Sequence, residues 1–319
     1  MPENSAALLW TLSAVCAALL GGTLVRIVAL RGAATSILES RLSSLRTWWI
    51  LFGSGTIAVM SSRIGTATLL ATAGALALRE FVGLVGWSNV GRPTAILVFA
   101  FVPLYYIVAI AGQHELVRQL APAAFFVALG GLRSWLGLIE GYIRTTAAVF
   151  WGLMLFVYGL SHAYFLLELP STVDPPVGHC GHFLFLILLT ETNDIMQALV
   201  GRRFGKHKIT PRISPNKSLE GLLGGMLITT LLAVLTASTL TIWSVGRSPG
   251  QSLMISALAG LLISLLGFLG DINMSGIKRD VGVKDGSTLL PGHGGMIDRI
   301  DSLTFTAPVF YYFVRGVTG

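Results

Sequence analysis

The C-terminal half of this chain contains two polar stretches whose residues could bind phosphate groups and a divalent metal ion. The second stretch, residues 275–301, holds four cations, four carboxylates and one histidine in an otherwise apolar protein. Cations can hold phosphates, carboxylates can hold a metal ion, and the interspersed glycines let the backbone approach a ligand. This combination indicates phosphoryl or nucleotidyl transfer at a membrane surface.

The first polar stretch, residues 201–218, is cationic. It contains six Lys and Arg side chains and no acid. Part of that excess is expected in any inward-facing loop of a membrane protein, and the remainder indicates an electrostatic funnel for a triphosphate. Ser214-Pro215 suits the N-cap and first position of a helix that continues through Glu220. The free N–H groups of such a helix would favour a phosphate, although ordinary capping explains the same residues.

Two aspartates at the ends of apolar segments are candidate metal ligands. Asp194 lies seven residues before Gly201, and Asp271 lies four residues before the second polar stretch. A carboxylate inside or at the edge of a membrane is costly, and such residues commonly serve function. Mg²⁺ typically takes one or two protein carboxylates together with phosphate oxygens and water. Pairing of Asp194 with a nearby arginine is the simpler alternative.

Asp298 and Asp301 are three residues apart and would share one face of a helix. They could hold a second cation, orient Arg299 and Lys278, or only brace the chain through ion pairs. His293 suits hydrogen bonding or loop structure better than a role as a base, because a phosphate monoester is already ionised.

Both polar stretches match the signature of a known family. Residues 275–301 read Ser-x-x-Lys-Arg, four residues, Lys-Asp, and then Leu-Pro-x-His-Gly-Gly-x-x-Asp-Arg-x-Asp. Residues 201–225 contain Gly-Arg-x-Phe-Gly-Lys-His-Lys and then Ile-Ser-Pro-x-Lys-Ser-x-Glu-Gly. This pattern resembles the phosphatidate cytidylyltransferases, also called CDP-diacylglycerol synthases. The N-terminal half is similar to that family only in its hydropathy pattern.

Two departures from the family pattern indicate a divergent subgroup. Asp194 carries over, but Ile-Met-Gln follows it where the family has Ser or Thr, a small residue and Ala. Met274 occupies the place of the family's usual glutamate, and its soft sulfur is a poor ligand for Mg²⁺. Either that glutamate is not a metal ligand, or Asn273 or Glu191 replaces it.

The resemblance implies a CTP:phosphatidate cytidylyltransferase that forms CDP-diacylglycerol and pyrophosphate with Mg²⁺, and it leaves a second cation open. It implies metal binding by Asp194 and Asp271. The catalytic residues would be Lys217, Lys278, Arg279, Lys284, Asp298 and Asp301. Substrate binding would fall to Arg202, Lys206, Lys208, Ser214, Glu220, Ser275, His293, Gly294 and Arg299.

Other functions stay open at this point. A cytidylyltransferase or a CTP-dependent kinase could act on an archaeol-type or polyprenyl lipid, and the chain could be a catalytically inactive homologue. An anion transporter fits less well. Its path would need ionisable residues near mid-span, whereas those of this chain cluster in loops and at the inner ends of apolar segments.

The composition places the chain in a membrane. It is 53% hydrophobic and 12% charged, with a mean hydropathy of +0.74, whereas soluble domains carry about 25% charged residues. We predict an all-α polytopic integral membrane protein with about nine to ten transmembrane helices and two cytoplasmic catalytic loops. Residues 47–62 and 64–79 could form a hairpin or one long helix. The apolar stretches lie at 6–30, 47–62, 64–79, 94–112, 116–132, 145–167, 181–200, 219–243, 252–270 and 303–318.

The distribution of Lys and Arg predicts the orientation. If the polar stretches face the cytoplasm, so do residues 31–46, 79–93 and 133–144, and that side collects most of the cations. We therefore expect a protein of the cytoplasmic (inner) membrane with its active site facing the cytoplasm and both termini outside. Residues 1–180 would be a transmembrane scaffold, and residues 181–319 a transmembrane catalytic region. The expected partners are CTP, phosphatidate and the lipid bilayer, with no nucleic acid, and a homodimer is left open.

Overall fold

The computed structural model describes residues 5–29, 35–169, 174–283, 287 and 294–318, and most of them are helical. The first helices are α1 (Ser5–Ala29), α2 (Thr35–Met60), α3 (Arg63–Val85), α4 (Trp87–Val90), α5 (Arg92–Ile110) and α6 (His114–Trp135). A rod follows, made of α7 (Tyr142–Leu153), a π-helical segment (Met154–Gly159), α8 (Leu160–Phe165) and a 3₁₀ turn (Leu166–Glu168). The chain continues with α9 (Gly181–Phe204), β1 (Lys208–Thr210), β2 (Ser214–Ser218), α10 (Leu219–Leu240), α11 (Pro249–Asp280) and α12 (Ile297–Thr318).

Eight helical stretches in the described part of the chain are long and apolar enough to cross a bilayer. This confirms an all-α polytopic membrane protein. Helices α2 and α12 have 26 and 22 residues but are less apolar. Whether these two bring the number of spans to the expected nine or ten stays a prediction. The eight stretches are Ala6–Val28, Arg63–Val85, Arg92–Ile110, His114–Trp135, Tyr142–Glu168, Gly181–Phe204, Leu219–Leu240 and Pro249–Asp280.

Helices α2 and α3 form a hairpin, which decides between the two alternatives for residues 47–79. Helix α2 ends at Met60 and α3 begins at Arg63. Between them, Ser62 has a φ of 103°, a backbone conformation that turns the chain and that L-residues rarely adopt. Gly65 lies so close to α2 that a Cβ there would be 2.7 Å from the Ala58 carbonyl oxygen. Two helices, and not one long helix, occupy this region.

Helices α9 to α12 approach one another closely because glycines face the neighbouring backbones. A Cβ on Gly221 of α10 would lie 2.7 Å from the carbonyl oxygen of Gln197 on α9. A Cβ on Gly260 of α11 would lie 2.7 Å from the backbone of α10, and one on Gly270 would lie 2.6 Å from the Asp301 carbonyl oxygen. Small residues at such contacts let transmembrane helices pack backbone to backbone. The close packing brings polar residues of four helices together at one end of the bundle.

The N-terminal half packs against α12. Gly159 of the π-helical segment would, with a Cβ, lie 2.7 Å from the Thr304 carbonyl oxygen. The rings of His162 and Phe165 lie 5.5 and 6.0 Å from the ring of Tyr311, measured between centroids. The two halves therefore share a core, and the division into a scaffold and a catalytic region stays a prediction.

The first polar stretch folds differently from the expectation. Strands β1 and β2 pair as an antiparallel hairpin, and α10 begins only at Leu219. Its N-cap is Ser218, whose hydroxyl oxygen accepts the N–H of Gly221 at 3.2 Å. The predicted N-cap at Ser214 is therefore wrong. Pairing of Thr210 with Ser214 keeps Ser214 in an extended strand, and a proline is tolerated there because edge strands do not need every N–H group.

One end of the bundle collects the polar stretches. Successive long helices alternate in direction, so the ends of α3, α9 and α11, the β-hairpin and the start of α12 lie together; we call this the site end. The opposite end holds an ion pair between Arg63 and Glu168 at 2.8 Å. The described residues of both polar stretches therefore meet on one side, as the sequence predicts.

Candidate active site

Lys217 lies at the centre of the site end. Its ammonium forms an ion pair with the Asp271 carboxylate of α11 and donates to Oε1 of Gln197 on α9 at 3.5 Å. The ammonium also lies 5.9 Å from the centre of the Phe268 ring, within the range of a cation–π interaction. Lys217 of strand β2 thus connects the first polar stretch to helices α9 and α11.

Asp194 of α9 borders the same region. Lys217, Asp271 and Arg299 are near enough to interact electrostatically with its carboxylate. Its Oδ1 atom is buried and has no hydrogen-bond partner among the described residues. Arg299 shows a related feature, because its Nε is buried without such a partner in the same part of the chain. Both side chains therefore keep hydrogen-bonding capacity for a ligand.

Asp301 of α12 supplies a third carboxylate. It interacts electrostatically with Asp271, Asp194 and Lys278, and it accepts the backbone N–H of Ser302 at 2.8 Å. Helices α9, α11 and α12 therefore each contribute one acid to a region that also contains Lys217. We call Asp194, Asp271 and Asp301 the carboxylate cluster.

The carboxylates of the cluster have the oxygen donors that Mg²⁺ prefers. Within the described ranges, however, no group of three or more His, Cys, Asp or Glu side chains is placed so that it could hold a metal ion. Mg²⁺ does not need such a group, because it is commonly held by one or two carboxylates with phosphate oxygens and water as the remaining ligands. The buried Oδ1 of Asp194 is an acceptor without a donor, which is unfavourable until a cation or a water molecule meets it.

A buried hydrogen-bond network behind the cluster was missed by the sequence analysis. Gln197 Nε2 donates to Asn193 Oδ1 at 3.0 Å and to the Ser264 carbonyl oxygen at 3.4 Å, and the Ser264 hydroxyl donates to Asn193 Oδ1 at 2.5 Å. All three residues are buried. The available signal was the spacing of Asn193 and Gln197, which are four residues apart and share a face of an apolar helix.

An ion pair between α11 and α12 joins the two ends of the second polar stretch. Lys278 Nζ lies 2.6 Å from Asp298 Oδ1, and Asp298 Oδ2 accepts the N–H of Gly295 at 3.0 Å. Gly294 has a φ of 77°, and a Cβ there would lie 2.6 Å from the Asp298 carboxylate, so glycine is required. The geometry supports the bracing alternative for Asp298, whereas Asp301 belongs to the carboxylate cluster.

A polar pocket of about 380 Å³ lies next to these residues. This volume is within the range of about 300–1,000 Å³ that is common for small-molecule sites. Ser275 donates to Asp271 Oδ1 at 3.4 Å, and Arg279 Nε donates to the Ile213 carbonyl oxygen at 3.3 Å. The pocket therefore joins the β-hairpin to the end of α11. Its lining consists of Ile213, Ser214, Pro215, Asn216, Ser275, Lys278 and Arg279.

Other residues predicted to bind substrate lie outside this lining. Arg202, Lys206 and Lys208 are exposed at the site end. Glu220 accepts the Nδ1 hydrogen of His207 at 2.6 Å and the backbone N–H of Lys206 at 2.9 Å. Glu220 therefore shapes the turn that precedes β1. Lys284 and His293 lie outside the described residues.

The residue in place of the family glutamate is buried in the apolar core. Met274 is 1% exposed and belongs to the apolar core. Glu191 interacts electrostatically with Asp194 and Arg299, and Asn273 Nδ2 is buried without a hydrogen-bond partner in the described part of the chain. All the alternatives from the sequence stay open: the family glutamate is not a metal ligand, or Asn273 or Glu191 takes its role.

Comparisons with known proteins agree with these motifs. The sequence model of the Cytidylyltransferase family matches residues 43–317. The chain is 41% identical over 271 residues to "Uncharacterized protein YnbB" of Escherichia coli K12, covering 85% of this chain and 86% of that protein. It is 31% identical over 271 residues to a phosphatidate cytidylyltransferase of Mycobacterium leprae, covering 70% of this chain and 84% of that protein. For the phosphatidate cytidylyltransferase of Haemophilus influenzae, the identity is 43% over 136 residues, or 41% of this chain and 46% of that protein.

Proposed function

Because this chain belongs to the cytidylyltransferase family, we propose that it transfers the cytidylyl group of CTP to phosphatidate. The products are CDP-diacylglycerol and pyrophosphate, and the role is phospholipid biosynthesis. Relatives named phosphatidate cytidylyltransferase support this choice of lipid acceptor.

The observation that carries the proposal is the ion pair of Lys217 with Asp271 beside the polar pocket. It joins the two polar stretches at one place, where Lys217 pairs with Asp271 of α11 and lies near enough to interact with Asp194 of α9. Lys278 and Arg279 line the adjoining pocket. A site for two polyanionic substrates needs both kinds of charge, cations for the phosphates and acids for a divalent ion.

The reaction depends on positioning and charge neutralisation. An oxygen of the lipid phosphate attacks the α-phosphorus of CTP and forms a new P–O bond. The bond from that phosphorus to the bridging oxygen of the β-phosphate breaks, and its electron pair leaves with pyrophosphate. Lys278 and Arg279 would offset the charge of the leaving pyrophosphate, and Lys217 would reduce repulsion between the two substrates. No general base is required, because the attacking phosphate is already ionised.

Asp194 and Asp271 would hold Mg²⁺. Bound there, the ion would supply positive charge to the phosphate oxygens around the α-phosphorus. The charge of the Asp271 carboxylate is balanced by its ion pair with Lys217. A second cation stays a prediction, with Asp301 as its candidate ligand.

We propose that the protein is integral to the cytoplasmic (inner) membrane and that the site end faces the cytoplasm, where CTP is available. Phosphatidate would enter laterally from the bilayer. The cationic surface formed by Arg202, Lys206 and Lys208 would attract CTP before it reaches the pocket.

The test is pyrophosphate release by the purified full chain in detergent with phosphatidate, Mg²⁺ and each of the four nucleoside triphosphates in turn. We expect release with CTP that requires phosphatidate, and a CDP-lipid product by mass spectrometry. A parallel series replaces phosphatidate with an archaeol-type or polyprenyl phosphate.

The outcomes separate the alternatives. If pyrophosphate is released only with a lipid other than phosphatidate, the cytidylyl transfer is retained and that other lipid is the acceptor. With the corresponding lipid alcohol as acceptor, a phosphorylated lipid and CDP as products would identify a CTP-dependent kinase. No turnover with any lipid or nucleotide would contradict the proposal.

A further inference from the structure

A carboxylate of the N-terminal half reaches across the molecule to the start of α12. Glu80 lies five residues before the end of α3. Its Oε1 accepts the backbone N–H of Met296 at 2.9 Å, and its Oε2 accepts the N–H of Ile297 at 3.0 Å. The Ser287 hydroxyl donates to Oε1 at 2.7 Å. Three donors from the second polar stretch therefore converge on one side chain that is more than 200 residues away in the sequence.

The Glu80 contact takes the place of an ordinary N-cap. The first N–H groups of a helix have no partner within the helix, and its positive dipole end favours an anion. At α12 these groups are met by a side chain of another helix. Gly295 makes room for this approach, because a Cβ at that position would collide with the Glu80 carboxylate.

The geometry of Glu80 is set by packing on its own helix. Its neighbours Ala77, Leu78, Phe81 and Val82 are each at most 2% exposed, so this turn of α3 is fixed in the core. A carboxylate near the end of a membrane helix is costly unless it has partners. The amide groups of α12 supply them.

The helix that Glu80 holds carries three residues of the site. Asp298 pairs with Lys278, Asp301 belongs to the carboxylate cluster, and Arg299 is near enough to interact with Asp194. All three lie within the first two turns of α12. A shift of the start of α12 would displace all of them together.

We propose that Glu80 is a positioning residue of the cytidylyl transfer, acting through the start of α12. The N-terminal half then contributes to catalysis by positioning residues of α12, in addition to packing against the C-terminal helices. This inference rests on the proposed function. Glu80 touches neither the pocket nor the carboxylate cluster through any described contact, so its effect is on geometry.

The test compares Glu80→Ala and Glu80→Gln with the unchanged protein in detergent. We expect kcat of Glu80→Ala to fall about 10- to 100-fold, the scale expected when reacting groups are misplaced by about 1 Å. The KM for CTP should stay unchanged, because the pocket is lined by the β-hairpin and α11. Glu80→Gln keeps one acceptor oxygen and should retain an intermediate kcat. Glu140→Ala, which removes an exposed carboxylate at the same end of the bundle, should keep the kcat of the unchanged protein.

A second measurement follows the contact without relying on turnover. Hydrogen–deuterium exchange of a peptide covering residues 294–300 should be faster in Glu80→Ala, while the thermal unfolding midpoint stays close to that of the unchanged protein. An unchanged kcat in Glu80→Ala would overturn the positioning role. An activity loss fully explained by a smaller folded fraction would overturn it as well, and unchanged exchange would overturn the contact. If the unchanged protein itself transfers nothing, the proposed function fails, and the exchange measurement still decides whether Glu80 holds α12.

Discussion

Charge balance governs the site at the scale of single residues. Three carboxylates near the end of membrane helices repel one another, and Lys217 with its neighbours Lys278 and Arg299 offsets that repulsion. Such groups are costly in a membrane protein and are usually retained for function. The Oδ1 atom of Asp194 has no hydrogen-bond partner within the described structure, so it can still accept from a ligand or bind a cation.

Removal of one charge from either predicted metal ligand should stop turnover. We expect Asp194→Asn and Asp271→Asn each to lower kcat by about 100-fold or more, the range seen when a group that stabilises developing charge is removed. Both variants should still insert and show a single folded species in size-exclusion chromatography. The measurement is pyrophosphate release at saturating CTP over a range of Mg²⁺ concentrations.

The control for these variants is Asp174→Asn, which changes an exposed aspartate that lies outside the site end. It should keep the activity of the unchanged protein. Near-normal turnover in Asp194→Asn or Asp271→Asn would remove that residue from the metal site.

The departures from the family pattern have a local explanation. Gln197 stands where the family has Ala, and its amide links Asn193 to Lys217. Met274 stands where the family has Glu, and it packs in the apolar core. This chain therefore has a buried amide beside Lys217, and an apolar side chain, Met274, three residues after Asp271.

At the scale of the secondary-structure elements, glycine contacts set the distance between neighbouring helices. Gly225 on α10 faces the Gln197 side chain so closely that a Cβ would collide with it. The packing of Gly225 against Gln197 also fixes the position of the Gln197 amide, which accepts a hydrogen bond from Lys217. Close packing of α9 on α10 therefore links the fold directly to the site.

The substitution Gly225→Ala should destabilise this contact. Overpacking of a close interface costs about 1–3 kcal/mol, so the thermal unfolding midpoint in detergent should fall. Turnover should fall as well, because Gln197 can no longer hold Lys217 in the same position. Gly250→Ala is the matched control, since Gly250 has nothing within 4 Å of a built Cβ. Equal unfolding midpoints for the two variants would contradict the packing argument.

At the scale of the whole molecule, the alternating directions of successive helices determine which helix ends lie on the same side of the membrane. The described cations of both polar stretches lie at the site end, and the positive-inside rule is the reason for proposing that this end faces the cytoplasm. Lys208 and Asp174 are exposed in the described structure, one in the β-hairpin of the site end and the other just before α9 starts at the opposite end.

Labelling of single cysteines should reveal this orientation. Cys16 and Cys180 are first replaced by alanine, and Lys208→Cys or Asp174→Cys is then introduced. A thiol reagent that cannot cross membranes should label Asp174→Cys in intact spheroplasts and should label Lys208→Cys only after lysis. The reverse pattern would place the site end outside the cell and contradict the proposed access of CTP.

The sequence by itself determined the class of the molecule, and it named most of the residues that the structure brings together at the site end. Hydropathy along the chain predicts helices that cross the membrane, and motif spacing points to Asp194, Lys217 and Asp271, because these signals are local. The N-cap was misplaced at Ser214 because the same residues suit a helix start or a strand. The strand is favoured by the pairing of Ser214 with Thr210 of β1, a partner that the motif Ser214-Pro215 does not itself contain.

Only the tertiary structure decided which side chains meet. The contact of Glu80 with Met296 joins residues 216 positions apart, and the network of Asn193 with Ser264 joins residues 71 apart. No periodicity or motif encodes such contacts. They arise from the directions in which packed helices present their faces. For the Asn193–Ser264 network these directions are set by the glycine contacts of α9 to α12, and for Glu80 by the packing of α3 in the core.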